Sequence, residues 1–423
     1  MKSQQTAKFI IHGLNPLGGE IEVYGSKNTA IKIIAASVLI PGQVILDNVP
    51  DILDVQKMIS ILEKMGGIFH RQGHKLILDL TNLRPIDPDP DLVRQMRASI
   101  VLVGPLLSRF GKVSIPHPGG CLIGARPIDR HLKAFRDLGA KIIENRDSCQ
   151  FQFSQSPQEK KVIFNKISVT ASENVIIFAA FQNQKTIIEN AAIEPEVIDL
   201  IEFLKLAGAK IKVFGRRIEI LGAQQLKPIN YKIIPDRIEA ATFAIMAAAS
   251  RGNLNIKHLN PDHLTSLLSK FQAMGIKFEK GKDFLYIKNS PKILATNIFT
   301  AEYPGFPTDI QSPMGLLLTQ AEGKSCLKEN IFENRLGYLL ELQKMGAKIK
   351  IINSKEAIIF GPTPLYGAKI NSLDLRAGAT LIIGGLIAKG KTDILQAENI
   401  DRGYEKIEER LKKIGARIER VLI

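Results

Sequence analysis

The chain has 423 residues, length for two to four domains, and its 45% apolar and 23% charged residues make a folded globular composition, not a disordered one. A net charge of +15 favours anionic partners: nucleic acid, a membrane surface or phosphorylated small molecules. With no Trp, 6% aromatic residues and basic runs no longer than pairs such as Lys160-Lys161 and Lys412-Lys413, neither a basic arm nor a base-stacking platform is expected. The best apolar stretches, residues 98–107 and 240–249, are near 10 residues long, against about 20 for a spanning helix. The first residues lack an apolar signal core, so nothing indicates export. Three cysteines, Cys121, Cys149 and Cys326, odd in number and far apart, argue for a reducing compartment, so a cytoplasmic location is expected.

In chain order, the first strands lead to a hinge candidate at Tyr24-Gly25-Ser26, after which Lys27-Asn28 opens a helix whose N-terminus suits phosphate. One pattern then recurs six times: a helical apolar face, a Gly and a strand start. It reads Met65-Gly66-Gly67-Ile68, Leu138-Gly139-Ala140-Lys141, Ala207-Gly208-Ala209-Lys210, Met274-Gly275-Ile276-Lys277, Met345-Gly346-Ala347-Lys348 and Ile414-Gly415-Ala416-Arg417, with Gly-to-Gly steps of 73, 69, 67, 71 and 69. Four residues before each Gly stands Leu62, Phe135, Leu204, Phe271, Leu342 or Leu411, which shares a helix face with the residue just before the Gly. The Gly falls where a left-handed C-cap is needed, and alternation follows, as in Lys210-Ile211-Lys212-Val213-Phe214. Upstream strands at residues 44–48, 186–190, 254–258 and 393–399 end in polar turns, and the pairs Pro50-Asp51, Pro195-Glu196 and Pro261-Asp262 are expected to start helices. Units of about 70 residues divide as three plus three, which predicts two mixed α/β domains with a boundary near residues 227–237, where Pro228 and Pro235 punctuate the chain.

Several residues stand out chemically. The loop Pro116-His117-Pro118-Gly119-Gly120-Cys121 cannot extend a helix or sheet, and Arg126, Arg130 and His131 follow it. Cationic neighbours would activate the thiol; spacing alone supports a functional thiol and a small packing residue equally. Arg97, Arg126, Arg237, Arg335, Arg376 and Arg402 sit at element ends or loops. Each alone reads as a solvated charge, whereas several converging would bind a dianion. Asp309, after Phe306-Pro307-Thr308, reads first as a helix cap or first-turn acid and second as a general base held by a rigid turn. Asp374 with Arg376, and Asp401 with Arg402, are candidate ion pairs that would orient each Arg. Dinucleotide and P-loop glycine motifs are absent. His70 and His74 flank a hairpin turn, so no metal site is expected there, and Cys149 and Cys326 read as packing residues.

Together these residues resemble the enolpyruvyl transferase family, over essentially the whole chain. The resemblance rests on Lys27-Asn28, Met96-Arg97-Ala98-Ser99, Pro118-Gly119-Gly120-Cys121 with Ile123-Gly124-Ala125-Arg126-Pro127, Lys166-Ile167-Ser168-Val169, Pro235-Asp236-Arg237-Ile238-Glu239, Phe306-Pro307-Thr308-Asp309, Phe332-Glu333-Asn334-Arg335, Asp374-Leu375-Arg376 and Asp401-Arg402-Gly403-Tyr404-Glu405. It implies a two-domain inside-out α/β barrel, with residues 25–234 as one domain and residues 1–24 plus 235–423 as the other, and a site in the cleft. The implied reaction adds the 3-hydroxyl of UDP-N-acetylglucosamine to C2 of phosphoenolpyruvate and eliminates phosphate, the first committed step of peptidoglycan synthesis. Cys121 would be the acid, the site of a phosphoenolpyruvate adduct and the target of the epoxide fosfomycin. Asp309 would be the base or hydroxyl anchor. Lys27, Arg126 and Arg402 would hold phosphoenolpyruvate, Arg97 and Arg335 would be further anion-site residues, and Arg376 would support the site near Asp374. Asn28, Arg126, Pro127, Ile128, Asp129, Arg130, Lys166, Ile167, Ser168, Val169, Asp309 and Ile331 would contact the UDP-sugar. The resemblance implies no metal or cofactor, and no nucleic-acid or membrane partner. The chain departs from the family pattern at Lys32, Arg130, Thr170 and His117-Pro118. Two alternatives remain: the same-fold transferase acting on shikimate 3-phosphate, whose family lacks the cysteine loop, and a non-catalytic basic relative that binds nucleic acid.

Overall fold

The computed structural model describes residues 6–117, 128–154 and 158–423. All six repeat glycines adopt positive φ, from 74° at Gly275 to 122° at Gly208. In every repeat the N–H just after the Gly donates to the carbonyl four residues before it: Gly67 to Leu62, Ala140 to Phe135, Ala209 to Leu204, Ile276 to Phe271, Ala347 to Leu342 and Ala416 to Leu411, at 2.9–3.1 Å. This bond closes a helix with a left-handed residue and turns the chain sharply outward. The apolar pair on each helix face is at most 2% exposed, so the same residues that accept the capping bond also anchor the helix to the core. A strand follows each time, from Ile68–Gln72 in the first repeat to Arg417–Leu422 in the last.

The upstream strands are Gln43–Asp47, Lys185–Glu189, Asn253–Lys257 and Lys391–Leu395. The next residues, Asn48, Asn190, His258 and Gln396, all take left-handed backbone at φ 57–60°, so the strands end one residue before the expected bound in the first three and four before it in the last. Of the three Pro–acid pairs only Pro195 starts an α-helix directly, Pro195–Ala207. Pro261 opens a short 3-10 turn, and Pro50-Asp51 precedes Leu53–Lys64, whose N-cap is Ile52.

The chain forms two compact units, one of the described residues of 25–234 and the other of 6–24 with Pro235–Ile423. Each contains three sheets. Inside the second unit lie Arg237–Ala249, Gln311–Leu318 and Leu375–Ile387, each buried almost all round. Inside the first lie Lys27–Ala36, the turn Arg97–Leu102 running into Val103–Phe110, and Val169–Ala179. Helices apolar on every side must be enclosed, and the sheets and capped outer helices enclose them, so each unit has helices within and sheets without.

Strands from distant parts of the chain complete the sheets of each unit. Asn230–Lys232 pairs parallel with Gln43–Asp47 in the first unit. In the second, Gly18–Glu22 pairs parallel with Asn253–Lys257, and Ala7–His12 lies antiparallel between Lys391–Leu395 and Arg417–Leu422. The N-terminal strands therefore complete two sheets whose other members are more than 200 residues away in the chain.

Candidate active site

In the first unit the expected residues that are described lie at helix starts. Ser26 caps Lys27–Ala36 by accepting from Thr29 N–H at 3.2 Å. Lys27 and Asn28 therefore occupy the first turn, and Lys27 Nζ lies 2.7 Å from Asp54 Oδ2, with Asp54 buried. Arg97 begins the turn Arg97–Leu102, which Ser99 Oγ braces by donating to Met96 O at 2.6 Å. Lys166 is exposed, and Ile167, Ser168 and Val169 are half-buried at the start of Val169–Ala179, where Ser168 is the N-cap. Ile128 is half-buried, and Asp129 and Arg130 are exposed in the first turn of Asp129–Asp137. Unsatisfied N–H groups and the positive end of the helix dipole make such starts hospitable to anions. Cys121, Arg126 and Pro127 lie outside the described residues.

His131 requires a correction. It is not a cation beside the thiol loop. Burial, with Arg97 and Arg130 adding repulsion, pushes its pKa down to about 3, so the ring is neutral. Asn174 Nδ2 lies 3.1 Å from His131 Nδ1 and also donates to Ile100 O at 2.9 Å, while its Oδ1 accepts from Gly104 N–H at 2.6 Å. Those partners orient the amide, making Nδ1 the acceptor and leaving the ring hydrogen on Nε2.

In the second unit Asp309 lies in the turn Thr308–Ile310 that leads into Gln311–Leu318. Pro307 takes the cap position, and Asp309 is an acid of the first turn. Arg335 Nη2 donates to its Oδ1 at 2.8 Å and Arg376 Nη2 to its Oδ2 at 3.1 Å. The Arg335 and Arg376 side chains are 4% and 6% exposed, whereas that of Asp309 is 29% exposed. Two buried cations thus present one accessible carboxylate in a fixed orientation. Burial would lower the Arg376 pKa, but Asp309 and Tyr404 outweigh it, and the guanidinium stays charged. Its Nη1 donates to Tyr404 Oη at 3.2 Å, and that hydroxyl lies 2.8 Å from Thr242 Oγ1.

The expected local ion pairs are replaced by other bonds. Asp374 Oδ1 caps Leu375–Ile387 by accepting from the N–H groups of Arg376 and Ala377 at 2.7 and 3.1 Å. Asp401 pairs with Arg420 through two bonds of 2.6 and 2.9 Å, not with Arg402. Arg402 sits half-buried in the turn after Asp401, and Ile331 is half-buried at the start of the loop that carries Arg335. Two participants went unselected in the sequence. Tyr404 lies in a quoted motif but gives no sign of facing Arg376. Glu329 is fully buried just after Gly323–Lys328, and the only signal for it is its place at a strand end, where every repeat turns. Of the remaining cysteines, Cys149 is buried and Cys326 half-buried, and no cluster of metal-ligating side chains occurs among the described residues.

Comparison with known proteins bears on this arrangement. A family model described as EPSP synthase (3-phosphoshikimate 1-carboxyvinyltransferase) matches residues 11–411. UDP-N-acetylglucosamine 1-carboxyvinyltransferase 3 of Caldanaerobacter subterraneus subsp. tengcongensis is 40% identical over 98% of this chain and 99% of its own. UDP-N-acetylglucosamine 1-carboxyvinyltransferase 2 of Carboxydothermus hydrogenoformans is 42% identical over the same shares. The crystal structure of the enolpyruvyl transferase NikO from Streptomyces tendae superposes with a TM-score of 0.90 at 22% identity, covering 99% of this chain and 100% of that one, which shows a common fold. With the family model spanning nearly its whole length and relatives at this identity end to end, the chain belongs to the enolpyruvyl transferase family, among the UDP-N-acetylglucosamine 1-carboxyvinyltransferases.

Proposed function

We propose that the chain transfers the enolpyruvyl group of phosphoenolpyruvate to the 3-hydroxyl of UDP-N-acetylglucosamine and releases phosphate, the first committed step of peptidoglycan synthesis. In the addition, the sugar oxygen bonds to C2 of phosphoenolpyruvate, the hydroxyl gives up its proton and C3 gains one. In the elimination, C3 loses a proton and the C2–O bond to phosphate breaks. An acceptor for the hydroxyl proton and a donor for C3 are both required. In this reading Asp309 receives the hydroxyl hydrogen and Cys121 supplies the proton to C3. Lys27, Arg97, Arg126, Arg335 and Arg402 hold the anionic groups, and Arg376 keeps Asp309 in place. Asn28, Pro127, Ile128, Asp129, Arg130, Lys166, Ile167, Ser168, Val169 and Ile331 contact the UDP-sugar. Cations at helix starts also stabilise charge that develops on the tetrahedral intermediate. Both substrates are soluble anions, which supports a cytoplasmic site of action.

The observation that carries the reading is Asp309: an accessible carboxylate with a buried guanidinium on each oxygen, in a chain about 40% identical to proteins named for this acceptor. The experiment is phosphate release from phosphoenolpyruvate with UDP-N-acetylglucosamine, with shikimate 3-phosphate or with no acceptor. Release is expected with the UDP-sugar alone. Cys121→Ala abolishes it in a folded protein and Cys121→Asp, which keeps an acid, retains part. Full activity in the alanine variant refutes the role of the thiol.

A further inference from the structure

We propose that Glu329 is a positioning residue for Asp309: through Thr308 and Arg335 it fixes the direction in which the Asp309 carboxylate meets the substrate hydroxyl. The inference rests on the reaction proposed above.

Glu329 has no exposed surface, so it cannot touch a substrate. A buried carboxylate is costly unless its lone pairs are occupied, and those of Glu329 are. Its Oε1 accepts from Thr300 Oγ1 at 3.0 Å and from the N–H groups of Ile331 and Phe332 at 2.9 and 3.1 Å. Its Oε2 accepts from Thr308 Oγ1 at 2.9 Å. Two of these donors begin the loop that carries Arg335, and a third immediately precedes Asp309. One carboxylate therefore ties together the two segments whose side chains meet at Asp309.

The directions of the hydrogen bonds sharpen the assignment. A hydroxyl has one proton to give. Thr308 gives its proton to Glu329, which leaves its lone pairs to Arg335 Nη1 at 2.9 Å. The guanidinium is a rigid planar fork, so fixing Nη1 also fixes Nη2, and Nη2 is the atom on Asp309 Oδ1 at 2.8 Å. Without Glu329 the Thr308 hydroxyl loses the acceptor that fixes its rotation, and the oxygen that holds the Arg335 fork is no longer held in one direction. Asp309 would keep its Arg376 contact but lose the second constraint that sets its plane.

The test is steady-state phosphate release by the full chain, with unfolding midpoints recorded for each variant. Glu329→Ala and Thr308→Val are each expected to lower kcat/KM by about 10²-fold, the effect of roughly 1 Å of misplacement, while Thr308→Ser, which keeps the hydroxyl, retains wild-type turnover. Because Glu329 acts through Asp309, adding Glu329→Ala to Asp309→Ala should cost nothing further. A merely structural role predicts instead a lower midpoint and a loss that multiplies with Asp309→Ala. Either that multiplication or unchanged turnover in Glu329→Ala overturns the inference. Should Glu329→Ala fail to fold, the contrast between Thr308→Val and Thr308→Ser decides alone. A wild type that releases no phosphate overturns the proposed reaction and this inference with it, whereas an active wild type with indifferent variants overturns only the inference.

Discussion

Glu173→Gln is expected to stabilise the protein at alkaline pH and to leave it nearly unchanged in mild acid. Glu173 lies in the second turn of the inner helix Val169–Ala179 and is 0% exposed. Its counter-charge is Lys32, whose Nζ is 3.2 Å from Oε2, and apart from that contact neither carboxylate oxygen has a hydrogen-bond partner among the described residues. Burial pushes the carboxyl from an ordinary 4.5 up to about 7; Lys32 opposes the shift, and Glu196 and Glu194 reinforce it. The folded state therefore holds a proton that the unfolded chain releases, and stability falls as pH rises from 4.5 to about 7, then levels. At about 1.4 kcal/mol per unit the loss at pH 8 is roughly 3 kcal/mol, and at pH 5 under about 1 kcal/mol. Gln carries an uncharged amide at every pH and escapes the loss. Denaturant unfolding of both proteins at pH 5 and pH 8 measures the difference directly. The comparison at matched pH is necessary, because Asp199, raised to about 6, acts in the same sense, and His131, lowered to about 3, acts in the opposite one. A Gln variant less stable than wild type at pH 8 would show that the Lys32–Glu173 pair is net stabilising and refute the reasoning.

Arg410→Met should destabilise the second unit by about 3–5 kcal/mol, because it strands buried Glu239, which the guanidinium grips at 2.6 and 3.1 Å while stacked 4.1 Å over the Tyr24 ring. Adding Glu239→Gln should recover much of that loss in denaturant unfolding, and no recovery would argue that stacking on Tyr24 and Phe243 dominates. Gly208→Ala should cost about 1–2 kcal/mol by forcing a side chain to φ 122°, read as a lower unfolding midpoint; an unchanged midpoint would mean that the cap is dispensable.

The repeat architecture was legible because its punctuation is steric. A helix that ends in a left-handed residue selects Gly, and the apolar pair beneath it recurs at a fixed offset, so Leu204, Ala207 and Gly208 announce one another. The inner helices were less legible. A helix such as Arg237–Ala249, buried all round, has no polar face and hence no phase to read. Edge strands such as Ile298–Phe299 are too short to show alternation. Site residues at helix starts were readable as types, but their partnerships were not. The local sequence of Asp309 favours a cap or first-turn acid, and its actual partners stand 26 and 67 residues further on. Arg410, within Glu408-Glu409-Arg410-Leu411-Lys412-Lys413, has the text of a solvated face, yet it is 7% exposed against Glu239, 171 residues earlier. Long-range polar pairing leaves no periodic trace, so it appears only when the fold brings the partners together.

The inner helices also explain why the candidate residues stand where they do. Lys27 and Asn28, Arg97, Val169, Arg237, Asp309 and Arg376 each lie at or within a turn of the start of one of the six. The bodies of these helices are enclosed and must be apolar or small, and each C-terminal end leads into a strand of the outer layer. The starts are left as the places where polar groups avoid unsatisfied burial, and there the free N–H groups and the dipole favour negative charge. Cations added at such starts suffice to bind an anion. A reaction at a hydroxyl needs an acceptor as well, and an acceptor at the same place would repel the anionic substrate. The second unit meets both demands at Asp309, whose charge is offset by Arg335 from the following loop and Arg376 from the neighbouring helix start. With one guanidinium on each oxygen, the carboxylate adds no net negative charge to its surroundings, and under the reaction proposed above this is what would let an acceptor for the hydroxyl stand beside an anionic substrate.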